Sequence, residues 1–330
     1  MVTKQAIADY IGISRTTVSL VLNHSKNNTI SANTKLKVLK AAKELGYRTN
    51  DSLNKICFIL YNRAGDDPRY LEDLRSIECC CGKKDYMMIF MSVKSNIEDL
   101  QKFKEFINSD EADGIILSGD VDHKIIDILN EGIVPFVVYS GIERDDADIL
   151  MPDSRKITYE AVKHLLKNGH KRIALFLGAL NLLIHRQILA GYEQALAEEN
   201  IEIDRSLIQV SIEEDGYEIA ERMHILDVPY TAAFCANTII QFTALQRLKE
   251  YKIDVPESVS LVGYGLSGLV KLSTPQLTTF YIDYAESAKI VVDSLVKIIN
   301  EETAERKTTY INNYKIFNGK TLGIPPEENR

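Results

Sequence analysis

The sequence predicts a small all-α headpiece with a helix-turn-helix, followed by a larger α/β domain of parallel sheets flanked by helices. Three observations lead to this fold class. The first 50 residues carry eight Lys or Arg against two acids, whereas the 330-residue chain as a whole has a net charge of −8. Apolar residues in this basic segment recur at helical spacing. Beyond it, short apolar runs alternate with amphipathic segments, a pattern typical of buried parallel strands covered by helices.

Composition excludes several classes of protein. With 45% hydrophobic and 26% charged residues, the chain is typical of a soluble globular protein. Charges at Lys4, Asp9 and Arg15 rule out an apolar signal-peptide core at the start. The longest uncharged stretch, 228–246, is too polar to cross a bilayer. We therefore expect a cytoplasmic protein with no membrane segment and with reduced thiols.

The first two predicted helices are short and separated by a tight turn. Thr3 is placed to cap the first, and Gly12 ends it because glycine adopts the left-handed conformation at low cost. Ser14 is placed to cap the second. Each helix has one apolar face, formed by Ile7, Ala8 and Ile11 in the first and by Val18, Val21 and Leu22 in the second. This arrangement is a helix-turn-helix, whose second helix enters the major groove of DNA.

A third helix is predicted from the cap at Ser31 to Leu45, with Gly46 just beyond it. Together the three segments closely resemble the DNA-binding headpiece of the lactose/galactose-repressor (LacI/GalR) family. The positions that agree in order and spacing are Ile7-Ala8, Gly12-Ile13-Ser14, Thr17-Val18-Ser19, Leu22-Asn23, Ile30-Ser31, Thr34, Val38, Ala41-Ala42 and Leu45-Gly46-Tyr47. A packed helical pair without a DNA role is the alternative, and the basic charge of the segment favours DNA binding.

The resemblance implies which headpiece residues contact DNA. Arg15 and Thr16 match positions that read base edges, and an arginine can bond guanine through two hydrogen bonds. The full candidate set also includes residues matching backbone contacts and their neighbours: Thr3, Lys4, Ser14, Arg15, Thr16, Thr17, Ser19, Leu20, Asn23 and Lys26. Leu20 departs from the family, which usually has arginine there. Because leucine can only contact a thymine methyl, we expect an unusual operator.

The rest of the chain resembles the periplasmic-binding-protein-like effector domain of the same family, which implies two lobes. The predicted strands are Ile56–Leu60, Tyr86–Met91, Gly114–Leu117, Val134–Tyr139, Ile173–Leu177, Ala232–Cys235 and Val259–Gly263. The predicted helices include Ile97–Asn108, Tyr159–Asn168, Gln187–Glu199 and Ile239–Tyr251. Motifs shared with the family include Leu165-(x3)-Gly169-His170, Gly191-Tyr192, Val255-Pro256 and Gly263-Tyr264.

The predicted domains are a headpiece at 1–48, a short linker at 49–55 and an effector-binding and dimerisation domain at 56–330. Within that domain, the resemblance implies an N-lobe at about 56–153 and 283–305 and a C-lobe at about 154–282 and 306–325. The linker is about half as long as is usual in the family. Leu53 is its one candidate for a wedge between base pairs, and the alternative is that Leu53 packs on the body.

In open parallel sheets, ligands bind beyond the carboxyl ends of the strands. Candidate effector residues at these ends are Tyr61, Asn62, Arg63, Ser118, Ser140, Arg186, Ile188, Asn237, Tyr264 and Gly265. Ser140 and Gly265 stand where the family has aspartates, and Ile188 stands where it has an arginine. Since carboxylates and arginine bind sugar hydroxyls, a simple sugar complex is not expected. The ligand is less polar or differently placed, or the cleft has lost its effector.

We therefore expect a homodimeric, DNA-binding transcription regulator, a repressor, that binds double-stranded DNA with an inverted repeat and responds to a small-molecule effector, sugar-like by family. One alternative is a regulator controlled by a protein partner, with a degenerate cleft. Another is a solute-binding protein or an enzyme on the same body, which the basic headpiece and the lack of a catalytic motif disfavour. No cofactor and no metal are expected. Successive side chains on a helix point about 100° apart, so the thiols of Cys79, Cys80 and Cys81 cannot converge on one metal ion.

Overall fold

The computed structural model describes residues 2–22, 30–47, 54–109, 111–300 and 306–327. Helices within these ranges are α1 (Lys4–Ile11), α2 (Arg15–Leu22), α3 (Ala32–Glu44), α4 (Leu71–Gly82), α5 (Ile97–Ile107), α6 (His123–Glu131), α7 (Ser154–Lys167), α8 (Leu183–Glu198), α9 (Gly216–Ile225), α10 (Thr238–Glu250), α11 (Gly268–Leu272) and α12 (Tyr284–Ile299). The strands are β1 (Asn54–Tyr61), β2 (Tyr86–Val93), β3 (Gly114–Gly119), β4 (Phe136–Val138), β5 (Ile149–Pro152), β6 (Ile173–Leu177), β7 (Ile208–Val210), β8 (Ala232–Cys235), β9 (Ser260–Tyr264), β10 (Thr278–Ile282), β11 (Thr308–Ile311) and β12 (Tyr314–Phe317).

The headpiece contains the three predicted helices around one apolar cluster. Ile7, Val18 and Val38, one from each helix, are completely buried in it. The Thr3 hydroxyl accepts a hydrogen bond from Ala6 N at 3.2 Å and so caps α1 as predicted. Gly12 ends α1 with φ of 69°, a conformation that glycine adopts without steric cost.

The strands form two six-stranded sheets of similar topology. Their orders are β11-β5-β4-β3-β1-β2 and β12-β10-β9-β8-β6-β7. The seven predicted strands are all present, whereas β5, β7, β10, β11 and β12 were not predicted. β1 begins at Asn54, two residues earlier than predicted. In each sheet the chain runs from the first strand to an edge neighbour and then crosses to the other side, so the switch points lie between β1 and β3 and between β6 and β8.

Contacts along the chain group it into two compact units. One comprises residues 1–63, 81–137 and 295–304, and the other comprises 64–80, 138–294 and 305–330. Residues 64–80 therefore belong to the second unit, although they directly follow β1 in the chain. The lobe boundaries inferred from the family resemblance stay predictions. No helix in the described part of the chain is long and apolar enough to cross a membrane.

The Gly191-Tyr192 motif has a packing role within the second unit. A Cβ on Gly191 would lie 2.2 Å from the Arg155 carbonyl oxygen, so only glycine lets α8 approach α7 this closely. The buried Tyr192 hydroxyl donates to the Ile173 carbonyl at 2.7 Å. These contacts fix α8 against the start of β6, and thereby position the loop that follows β6.

Candidate DNA-binding face and strand-end cluster

The start of α2 is an exposed polar surface on a buried apolar base. Ser14, Arg15 and Thr16 are exposed, whereas Val18, the first apolar residue of α2, is completely buried. The Ser14 hydroxyl accepts from Thr17 N at 3.1 Å and lies 2.8 Å from the Thr17 hydroxyl. Because this cap satisfies the first turn of the helix, the side chains of Arg15 and Thr16 project from a fixed backbone.

The other predicted DNA contacts surround this surface or lie outside the description. Thr17, Ser19 and Leu20 are partly buried on α2, and Lys4 is partly buried at the start of α1. Asn23 and Lys26 lie outside the described residues, as does Leu53 in the linker. The structure thus brings together the candidates on α1 and α2 and gives no test of those three.

Four predicted effector residues lie at the switch point of the first sheet. The Tyr61 hydroxyl donates to Asp122 Oδ2 at 3.0 Å, and burial together with this carboxylate raises the pKa of Tyr61. Asn62 Oδ1 accepts a hydrogen bond from Ser95 N at 2.8 Å. Arg63 Nη2 forms an ion pair with Asp120 Oδ1, also at 2.8 Å. Ser118 is buried beside Leu60 in the β1–β3 pairing.

Three more predicted residues lie at the ends of strands of the second sheet, and Ser140 follows β4. Asn237 Oδ1 accepts from the backbone N–H groups of Ile239 and Ile240 at the start of α10, and its Nδ2 donates to Glu214 at 2.9 Å. Gly265 has φ of 99°, which favours glycine, and its N–H donates to the Phe280 carbonyl at 2.8 Å. Burial raises the pKa of Tyr264.

Two predicted residues on α8 are engaged within the protein itself. Arg186 Nη1 donates to the carbonyls of Leu180 and Asn181, at 3.2 and 2.8 Å. Ile188 is fully buried, on the same helix face as His185. Arg186 thus holds the loop that leads into α8.

Sequence reasoning predicted only Asn237 of a group of polar residues at the switch point of the second sheet, which we call the strand-end cluster: Asp67, Arg69, His185, Glu214 and Asn237. Arg69 Nε and Nη2 donate to the two oxygens of Asp67, at 2.9 and 2.6 Å. Its Nη1 donates to Glu214 Oε2 at 2.5 Å. Burial disfavours the charged guanidinium, but these bonds and charges outweigh it and raise the pKa of Arg69.

The second oxygen of Glu214 is also occupied. It accepts from Asn237 Nδ2 at 2.9 Å and lies 3.2 Å from His185 Nε2. Because His185 Nδ1 accepts from Gly178 N at 3.3 Å, the geometry assigns the proton of the neutral ring to Nε2, which donates to Glu214. Glu214 itself has φ of 58°, a conformation that costs a non-glycine residue energy. Recognising β7 would have placed Glu214 near a strand end, because Glu214 follows that strand by four residues.

A second missed group in this unit combines one carboxyl with tyrosines. The Tyr139 hydroxyl donates to Asp73 Oδ1 at 2.9 Å. Burial raises the pKa of Asp73 to about 7, although the bond from Tyr139 opposes this shift. The Tyr284 hydroxyl accepts from Leu266 N at 3.2 Å. Within the described ranges, no group of three His, Cys, Asp or Glu is arranged to hold a metal ion.

Two family models match the chain. Residues 4–50 match the model of bacterial regulatory proteins of the lacI family, and residues 162–322 match a periplasmic binding protein-like domain. The first match contains α1 to α3, and the second contains the strand ends that carry His185, Glu214 and Asn237. The chain therefore combines a LacI-family helix-turn-helix headpiece with a periplasmic binding protein-like domain.

Curated relatives agree with this domain organisation along nearly the whole chain. The HTH-type transcriptional repressor PurR of Pasteurella multocida is 27% identical over 93% of this chain and 94% of its own length. PurR of Mannheimia succiniciproducens is 28% identical over 94% of this chain and 96% of its own length. With this headpiece, the chain is a DNA-binding transcriptional regulator.

Solved structures share the fold. A transcriptional regulator CelR–cellobiose complex aligns with a TM-score of 0.74 at 22% identity, covering 98% of this chain and 100% of that one. The lac repressor dimer bound to operator aligns with a TM-score of 0.69 at 22% identity, covering 97% of this chain and 98% of that one. The predicted fold of helix-turn-helix headpiece and α/β domain is thereby confirmed.

Proposed function

We propose that this protein is a transcriptional repressor that binds an inverted-repeat operator as a homodimer, and that a small molecule bound in its α/β domain changes its affinity for the operator. The observation that carries the proposal is the capped, exposed surface of α2, with Arg15 and Thr16 at its start. A helix presented in this way fits the major groove, where side chains at its N-terminal end meet base edges.

Several features support the assignment of a repressor. The two PurR relatives, which match this chain over nearly their whole length, carry the name of a repressor, and one structural neighbour is a dimer on its operator. A homodimer has two headpieces related by two-fold symmetry, so it recognises DNA with the same symmetry. The cytoplasmic location, the lobe boundaries and the role of Leu53 stay predictions.

Support for a small-molecule effector comes from the strand ends. Polar side chains lie at the switch point of each sheet, which is where ligands bind in folds of this type. Another structural neighbour carries cellobiose. The departures at Ser140, Ile188 and Gly265 make a different ligand the expectation for this chain.

Selection from random double-stranded DNA with the full chain tests the proposal. We expect an inverted repeat to be enriched. In binding titrations on that repeat, Arg15→Ala should lose about 1–3 kcal/mol of discrimination at one base position of each half-site.

The matched control is Arg15→Lys, which retains the positive charge but cannot form two parallel bonds to guanine. It should retain affinity for unrelated DNA and still lose discrimination at the same position. Enrichment of sequences without a repeat, or equal discrimination by all three proteins, would contradict the proposed role of α2.

A further inference from the structure

The strand-end cluster holds a guanidinium group in a closed set of ion pairs. Arg69 uses three of its nitrogens, two on Asp67 and one on Glu214, and the side chains of these three residues are only 8–16% exposed. A planar guanidinium is matched to carboxylates in this fork geometry. The structure thus shows a guanidinium group enclosed by two carboxylates of the same chain.

The carboxylate of Glu214, which we call the receptor for this guanidinium, lies near a strand end of the second sheet. Glu214 follows β7 and is oriented by His185 and Asn237, which both bond its Oε1 and leave Oε2 to the guanidinium. His185 is in turn fixed by the backbone at Gly178, directly after β6. Three strand ends therefore orient one carboxylate, independently of Arg69.

Arg69 comes from a different kind of element. It lies in the segment between β1 and α4, with no regular secondary structure of its own, and the side chain reaches Glu214 across 145 positions of sequence. Glu214 is held in place at strand ends, whereas Arg69 lies on an irregular segment. We therefore expect Arg69 to move more easily than Glu214. Displacement of Arg69 leaves the receptor intact, because the bonds from His185 and Asn237 do not depend on it.

We propose that Glu214, together with Asp67, forms a guanidinium site at the β6–β8 switch point, that Arg69 fills this site as an internal ligand, and that the effector carries a guanidinium or amidinium group that competes with Arg69. This inference rests on the proposed function, because it names the chemical class of the effector. A neutral sugar that displaced Arg69 would leave two carboxylates of low exposure without a counter-charge, which is unfavourable. A cationic ligand replaces the charge as it displaces the side chain.

Chemical rescue tests the site. Arg69→Ala removes the atoms that ethylguanidinium supplies, so we expect the full-length variant to unfold about 5 °C or more below the wild type. Adding ethylguanidinium chloride, against sodium chloride of equal concentration, should restore at least half of this loss and should saturate at millimolar concentration. The wild type should gain nothing under the same conditions, because its site is filled.

Two variants provide matched controls. Arg144→Ala removes an equally exposed arginine that forms the same two-bond fork to Asp146, and ethylguanidinium should leave its unfolding temperature unchanged. Arg69→Ala with Glu214→Gln keeps the shape of the receptor without its charge and should show no rescue. Equal rescue in either control, or none in Arg69→Ala, overturns the proposal.

If Arg69→Ala does not fold unaided, recovery of folded protein on refolding, with and without ethylguanidinium, is measured instead. Recovery only with the cation supports the site, and no recovery in either case counts against it. A final measurement concerns regulation: the operator affinity of Arg69→Ala should differ at least 5-fold from the wild type and return towards it with ethylguanidinium. No such change refutes the competing effector. If the wild type binds no operator, the proposed function fails, while thermal rescue still decides whether the guanidinium site exists.

Discussion

The proposed DNA-binding face of α2 and the strand-end cluster are built in opposite ways. The face consists of neighbouring residues on one short helix, with Arg15 directed to solvent and a local cap at Ser14. The cluster collects residues from Asp67 to Asn237, and its Arg69 is enclosed by carboxylates. Residues of the first kind can change without loss of the fold, because they bond outward. Residues of the second kind serve both the fold and the site.

The largest expected effect is a loss of stability when Glu214 is substituted. Glu214→Ala leaves Arg69 without its second carboxylate and His185 without an acceptor, so we expect the free energy of unfolding to fall by about 3 kcal/mol. Urea unfolding of the full chain followed by circular dichroism measures this. Glu98→Ala, which removes an exposed partner of Lys102, should cost less than about 0.5 kcal/mol. Similar losses in both variants would show that the cluster adds no more stability than a surface pair.

A smaller difference is expected in the response to pH. Because burial raises the pKa of Asp73 to about 7, the folded chain binds more protons here than the unfolded chain between about pH 4 and pH 7. The stability that Asp73 contributes is therefore fully present at low pH and is lost as pH rises towards 7. Asp73→Asn should remove this dependence, with an effect of about 2–3 kcal/mol between pH 5 and pH 8.

Thermal unfolding at several pH values checks this prediction. Glu105→Gln, an exposed carboxyl on α5, should retain the wild-type dependence on pH. A pH profile of Asp73→Asn that parallels the wild type would mean that Asp73 ionises normally in the folded protein.

The smallest expected effect separates stability from DNA binding within the headpiece. Ser14 and Ser31 cap α2 and α3 in the same way, with acceptor distances of 3.1 and 3.2 Å. Replacing either by alanine should cost about 1 kcal/mol of headpiece stability. Only Ser14→Ala should also weaken operator binding, since the proposed DNA contacts include the start of α2 and no residue of α3. Equal operator affinities for the two variants, at temperatures where both are folded, would exclude Ser14 from the contact surface.

The contrast between local contacts in the headpiece and long-range contacts in the strand-end cluster explains which parts of the structure could be predicted from the sequence. The headpiece follows from local rules, because caps, a left-handed glycine and apolar spacing all lie within a few residues of each other. The seven fully apolar strands were predicted for the same reason. β7 and β11 were not predicted, because they are short and only partly buried and therefore lack a continuous apolar run.

The strand-end cluster could not be predicted in this way. Nothing near Arg69 in the sequence indicates Glu214 as its partner, because their contact depends on how residues 64–80 associate with the second unit. Asn237 was predicted as a ligand contact, whereas the structure uses both ends of its amide, one to cap α10 and one to orient Glu214. Long-range pairing of charges is set by the fold and leaves no periodic signal.

The last two strands have a consequence for synthesis of the chain. β11 completes one edge of the first sheet and β12 completes an edge of the second, with only Asn312 and Asn313 between them. Neither sheet can gain its last edge strand before this segment has left the ribosome. The headpiece, by contrast, can form as soon as its 47 residues have emerged. During translation at about 5–20 residues per second, a nascent chain therefore displays a finished DNA-binding headpiece for many seconds before its sheets are complete.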